Sequence, residues 1–309
     1  MSNIVIEVSN ATIEKMKQMY QNDLKATTPP GAVFAAKKKT VNITAYRSGK
    51  VLFQGNQAEN EANQWTSQQK KGAASTAKKS KSVSSLPSGF ASWSVLGSDE
   101  VGTGSYFGPL TVVAAYVAKE QIPLLKELGV KDSKDLKDPQ IIAIAKDLLT
   151  FLPHSLLNVM PEKYNQIQPA MSQGKMKAIL HNQALKHVLD KIAPITPEAI
   201  LIDQFELPKT YFAHISDQPF QIKEKVYFAT KGEQHHLAVA AASILARYSF
   251  LKGLDQLTED AGFKIPSGAG GNVDLVAARL IKRGGTKLLG HYAKLHFANT
   301  EKAMKIANK

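Results

Sequence analysis

The chain has 309 residues, 43% of them hydrophobic and 21% charged, the balance of a folded protein rather than a disordered one. It has no cysteine, which excludes disulfide scaffolds, thiolate-bound zinc, iron–sulfur clusters and thiol nucleophiles. Its formal net charge of +13 points to a polyanionic partner or substrate. No apolar run approaches the ~20 residues of a membrane helix. The opening Met1-Ser2-Asn3-Ile4 lacks the basic cluster and apolar core of a signal peptide. The expectation is a cytoplasmic protein with no membrane contact, and a monomer by default.

The charge is unevenly spread. Residues 1–89 hold 13 Lys+Arg against 5 Asp+Glu, so less than a third of the chain carries more than half of the excess. A sequence-independent grip on phosphates produces such a bias; a basic face that only aids solubility is the plainer alternative.

In chain order, Asn3–Val8 alternates apolar and polar residues as a half-buried strand does. Asn10 is placed to cap a helix in which Ile13, Met16, Tyr20 and Leu24 recur at helical spacing. After Pro29-Pro30-Gly31, three strands are predicted at 32–37, 40–46 and 50–54, the last two joined by a Ser48-Gly49 turn. A helix is predicted over 59–68. Two helices cover one face of a four-stranded antiparallel sheet, leaving Asn42, Thr44 and Tyr46, with Lys37 nearby, on the other. Such a face suits contact with nucleic acid, or is simply solvated. Residues 1–68 are read as this small substrate-binding domain, 69–89 (rich in Lys, Ser, Ala and Gly, with no acid) as a basic flexible linker, and 90–309 as the catalytic domain.

The larger part alternates strands and helices. Strands are predicted from 93 to 97, over the continuous apolar run 110–117, and at 155–160, 200–203 and 226–229. Helices are predicted near 139–151, 174–192, 235–253 and 272–282. The expected fold is a mixed α/β sheet flanked by helices.

Asp99 and Glu100 end an apolar strand and lead into Val101-Gly102-Thr103-Gly104-Ser105-Tyr106-Phe107-Gly108-Pro109. Phe107 stands where a dinucleotide fingerprint requires Gly, and Gly-Lys-Ser/Thr is absent, so neither nucleotide motif applies. Adjacent strand residues face opposite ways, so convergence of the two carboxylates requires the strand to end or twist there. Asp203 closes the run Ala199-Ile200-Leu201-Ile202, and Glu233 precedes a helix. Crowded carboxylates repel, and a divalent ion relieves that repulsion; hard oxygen donors suit Mg2+ or Mn2+. A helix cap is the alternative for Glu233. Adjacent His235 and His236, and His291 with His296, are poorly spaced to chelate and are read as structural or surface residues. Ser243 and Arg247 lie one turn apart and could reach a phosphate.

These residues resemble bacterial ribonuclease HIII, a type 2 ribonuclease H. The stretch 99–109 carries the resemblance most specifically. Asp132-Ser133-Lys134, His181-Asn182-Gln183, Asp203, Glu233, the segment 240–244 and Leu295-His296-Phe297 support it. The resemblance implies an RNase H-like catalytic domain preceded by a small α+β domain like half of the TATA-binding protein. It implies endonucleolytic cleavage of RNA in RNA–DNA hybrids by two Mg2+ or Mn2+ ions, leaving 5′-phosphate and 3′-hydroxyl ends. It implies Asp99, Glu100, Asp203 and Glu233 as catalytic metal ligands. Gly102, Thr103 and Gly104 are the expected readers of the ribose 2′-hydroxyl, and Ser133 with Lys134 the holders of a backbone phosphate. Ribonuclease HII has Gly-Arg-Gly where this chain has Gly102-Thr103-Gly104, and no counterpart of its junction-reading C-terminal Tyr is identified. Cleavage at single embedded ribonucleotides, and a non-catalytic hybrid-binding module, are the alternatives.

Overall fold

The computed structural model describes residues 2–29, 32–47, 49–66 and 86–308. The chain divides into two compact units, residues 1–80 and 81–309. The division falls within the expected linker, of which 69–85 lie outside the described residues.

The first unit comprises β1 (Ser2–Glu7), α1 (Asn10–Met19), β2 (Ala32–Lys38), β3 (Val41–Tyr46), β4 (Lys50–Gly55) and α2 (Ala58–Thr66). Its sheet has the order β1-β4-β3-β2 and is antiparallel throughout. The alternation of β3 is real: Val41, Ile43 and Ala45 are buried, while Asn42, Thr44 and Tyr46 are half-exposed. Ile13, Met16 and Tyr20 join Ala58, Ala62 and Trp65 in packing on the buried face. The cap of α1 differs from expectation. Ser9, in extended conformation, accepts from the Thr12 N–H, and Asn10 is already helical. Ser48 lies outside the described residues, but Gly49, with φ +86°, donates to Tyr46 O at 3.0 Å and turns β3 into β4.

The second unit comprises β5 (Val95–Val101), β6 (Leu110–Val117), α3 (Ile122–Glu127), α4 (Asp138–Phe151), β7 (His154–Val159), α5 (Pro161–Ile167), α6 (Gln173–Ile192), β8 (Ala199–Asp203), α7 (Pro208–His214), β9 (Val226–Ala229), α8 (Leu237–Ala261), α9 (Gly271–Tyr292) and α10 (Asn299–Ala307). The sheet order is β7-β6-β5-β8-β9, antiparallel on the β7 side and parallel from β5 to β9. Central β6 is buried at every position, as its unbroken apolar run requires. Helices α4 and α8 cover one face, and α6 and α7 the other.

Helix α8 is long and apolar enough by length and composition to cross a membrane, but 67% of its most apolar window is buried in the unit, so it is a core helix. Small residues let it press on β5. A Cβ on Gly97 would lie 2.5 Å from Ala238 C and Val239 N. Helix α9 runs well past the predicted residue 282, across a kink at Gly284 and Gly285.

Strand β5 corrects the sequence reading, for it starts at Val95 and runs straight through Asp99 and Glu100 to Val101, where the sequence placed a strand over 93–97 that ends or twists at the two acids. Val95 and Gly97 meet the α8 side, whereas Leu96 and Ser98 meet the α6 side. With a period of two, Asp99 faces α8 and Glu100 faces α6.

Candidate active site

Parallel pairing of β5 with β8 sets Ser98 beside Ile202, so the next residues, Asp99 and Asp203, are neighbours at the carboxyl ends of adjacent strands. Ala199 and Leu201 pack on the α8 side, and Asp203 shares their parity. Asp203 Oδ1 accepts from the Gly232 N–H at 2.8 Å, which ties it to the short turn that carries Glu233. Asp99, Asp203 and Glu233 thus gather on one side of the sheet, and Glu100 reaches the same strand end from the other. Among the described residues, no group of three His, Asp or Glu side chains is drawn close enough to hold a metal as it stands.

Each acid has a local partner. Asp99 is 8% exposed, accepts from the Glu100 N–H at 2.7 Å and is hydrogen-bonded by the Ser243 side chain. Burial, followed by the charges of Glu100 and Asp203, pushes its carboxyl well above the usual range. Burial also raises Asp203; the Gly232 N–H opposes this, while Glu100 and Glu233 add to it. Burial pushes Glu100 up as well, but His181 and Lys177 outweigh it and hold the group below its ordinary value. His181 Nε2 lies 3.0 Å from Glu100 Oε2, and Lys177 Nζ lies 2.9 Å from Oε1. His181 Nδ1 meets Ser98 Oγ at 2.8 Å, which orients the ring. Glu233, 9% exposed, faces Lys134 Nζ at 3.3 Å.

The substrate candidates fall in separate places. Gly102 is required where it stands: its φ is +95°, and a Cβ would meet Pro109 O at 2.1 Å. Gly104 opens on free space. The Thr103 carbonyl accepts from Gln173, while its buried hydroxyl has no partner among the described residues. A cavity of about 270 Å³ adjoins this loop, lined by Gly102, Gly104, Ser105, Arg247 and Gly268 among others. A larger one of about 500 Å³, beside Leu189, Pro197 and Ile200, touches none of the four acids.

Ser133 does not face outward as a phosphate ligand should. It is buried and bonded to Ser243 Oγ at 2.8 Å, which makes it part of the packing behind Asp99. The side chain of Lys134 is 74% exposed, and its charge is held by Glu233. Arg247 is engaged by Asp138 through two bonds of 2.9 and 2.7 Å. Lys37, Asn42 and Tyr46 belong to the first unit. Lys37 pairs across strands with Asn42 on the open face, and Asn42 Oδ1 accepts from Lys25 at 2.9 Å.

Lys177 and His181 carry no role in the reading of the sequence. Their spacing of four on an otherwise apolar helix face is the signal that finds them. As expected, His236 is structural. Its Nδ1 accepts from the Ala238 N–H and caps α8.

Acidic side chains at the carboxyl ends of central strands, in a mixed sheet covered by helices on both faces, define a nuclease of the ribonuclease H class. The family model described as Ribonuclease HII matches residues 96–300, and a domain of unknown function, DUF3378, matches 3–80. A ribonuclease HIII of Bacillus subtilis is 55% identical over 100% of this chain and 99% of its own, and one of Listeria monocytogenes 53% identical over the whole of both. The crystal structure of Bst-RNase HIII in complex with Mn2+ aligns over 99% of both chains, with a TM-score of 0.70 and 45% identity. The ribonuclease H2 from Pyrococcus horikoshii, 24% identical with a TM-score of 0.57, covers 70% of this chain and shares its fold. The chain belongs to the ribonuclease HIII family, within the wider ribonuclease HII group, and is an endoribonuclease.

Proposed function

We propose that Asp99, Glu100, Asp203 and Glu233 form the catalytic set with which this ribonuclease H cleaves the RNA strand of RNA–DNA hybrids. The observation that carries the assignment is Asp99 itself, desolvated and crowded by Glu100 and Asp203. Such repulsion is relieved by a divalent cation, and the all-oxygen donor set suits Mg2+ or Mn2+. When bound, a pair of such ions supplies a nucleophilic water and charge neutralisation at the scissile phosphate.

The protein's own contribution is placement. Asp99 and Asp203, on neighbouring strands, present carboxylates to a shared point, and Glu233 follows from the turn tied to Asp203. Glu100 is kept anionic by His181 and Lys177, so it meets a cation without losing a proton first. Lys134, mostly exposed, would be available to a backbone phosphate where Glu233 serves to hold a cation. The main chain of Gly102, Thr103 and Gly104 lies one residue beyond the acidic strand end. There it is placed to read the 2′-hydroxyl that separates RNA from DNA. The open sheet face of the first unit, with Lys37, Asn42 and Tyr46, supplies a second hold on the hybrid. We infer that the enzyme acts as a monomer in the cytoplasm.

The test offers the protein a labelled RNA–DNA hybrid, duplex RNA and DNA with one ribonucleotide, each with and without Mg2+. Metal-dependent cutting of the hybrid, absent in the Asp99→Asn variant while hybrid binding persists, is the expected result. Substantial turnover by Asp99→Asn sinks the assignment, and preference for the single ribonucleotide returns the chain to the ribonuclease HII pattern.

A further inference from the structure

Lys294 follows α9 and is 0% exposed. Its ammonium donates to Ser105 O at 2.8 Å and Gly108 O at 2.7 Å, and lies 5.8 Å from the centre of the Tyr164 ring. Among the described ion pairs none includes Lys294, so the buried cation has no carboxylate partner. Burial alone lowers its pKa to about 7. A cation without a counter-charge in a sealed site is costly, and an apolar side chain of equal length fills the same volume without that cost.

What the amine alone provides is a donor for two carbonyls. The segment after Gly104 curls so that Ser105 O and Gly108 O point inward, away from any strand partner, and buried carbonyls need donors. The surrounding contacts run to the same stretch. Lys294 N–H donates to Tyr106 O, Tyr106 N–H to Gly268 O, and Gly108 N–H to Tyr292 O. Ser105 Oγ donates to Phe107 O and accepts from the Gly268 N–H. The side chain of Lys294 is the pin through the centre of this arc, which begins at Gly102-Thr103-Gly104. His296, whose ring stacks on that of Tyr164 with centroids 5.4 Å apart, is the neighbouring imidazole.

We propose that Lys294 is a positioning residue that fixes the shape of the 102–108 loop and thereby the ribose-reading end of the active site. The proposal rests on the reading that this loop meets the ribose. It assigns Lys294 no contact with substrate or metal.

The natural absence of cysteine gives a clean test. In Lys294→Cys, the single thiol is alkylated in denaturant with 2-bromoethylamine, which rebuilds a lysine-length amine, or with 1-bromopropane, which builds its neutral counterpart; the protein is then refolded. The native chain taken through the same steps is the control. Lys294→Met, which needs no unfolding step, repeats the neutral arm. The neutral forms are expected to keep the circular dichroism of the native protein and its Mn2+ half-saturation, yet to lose tenfold or more in kcat/KM on the hybrid. The aminoethyl form is expected to recover to within threefold of the control. Full activity in the neutral forms overturns the proposal. So does an aminoethyl form no better than the propyl form. Neutral forms that no longer fold overturn it too, because the amine then serves the whole unit and not the loop. A native enzyme that cuts the matching DNA duplex as readily as the hybrid instead sinks the ribose-reading role of the loop, a failure visible before any variant is made.

Discussion

Asp99 carries the largest burden in the site, and its replacement has the clearest consequence. Asp99→Asn keeps the size and burial but removes the charge that a cation needs. Hybrid cleavage in Mg2+ is expected to fall by more than the roughly 10–100-fold typical of losing a partner that only supports a ligand. Lys177→Met and His181→Phe belong to that milder class. Each leaves Glu100 with one cationic or hydrogen-bonding neighbour fewer, and each should lower activity by about 10–100-fold and raise the Mg2+ concentration needed for half-maximal rate. His236 sets a pH limit on the fold. Burial lowers its pKa from 6.5 to about 4, so the unfolded chain binds the extra proton first. The associated stability is complete above pH 6.5 and is lost as pH falls through about 4, by up to about 3 kcal/mol. Urea midpoints between pH 7 and pH 4 should follow that descent, and a His236 imidazole signal, assigned by its loss in His236→Gln, that titrates near pH 6.5 in the folded protein would contradict it.

At the level of elements, the site exists because β5, β8 and α8 meet closely. Gly97 is where helix and strand approach, and Gly97→Ala forces a methyl into the backbone of Ala238 and Val239. The expected cost is about 1–3 kcal/mol of stability, read from thermal or urea unfolding, with activity falling at temperatures where the native protein is stable. The apolar runs of β6, β8 and β9 and the main helices were readable from periodicity alone, because burial on both faces or on one stripe leaves that pattern in the residues. Strand β5 was misread at its end. Its Gly, Ser, Asp and Glu carry little strand preference, and only pairing with β6 and β8 extends it through Val101. Short helices such as α5, α7 and α10 also escaped, since one or two turns present too few residues to establish a period.

The whole chain joins a basic first unit to a second unit that holds the four acids. Removing residues 1–68 is expected to weaken binding to the hybrid and to flatten the fall of affinity with salt, because fewer phosphates are neutralised. An unchanged salt slope places the phosphate contacts in the second unit. The sequence by itself determined the fold class and the two-part organisation, and it singled out the four acids, because these depend on local patterns and on one specific motif. Only the tertiary structure decided that Asp99 and Glu100 face opposite sides of the sheet, that Ser133 is turned inward, and that Lys177, His181 and Lys294 are buried. A lysine or histidine in a sequence looks like solvated surface; what buries it is a carboxylate or a carbonyl some 80 to 190 positions away along the chain. Such partners are brought together by sheet order and helix packing, which no local window of residues records.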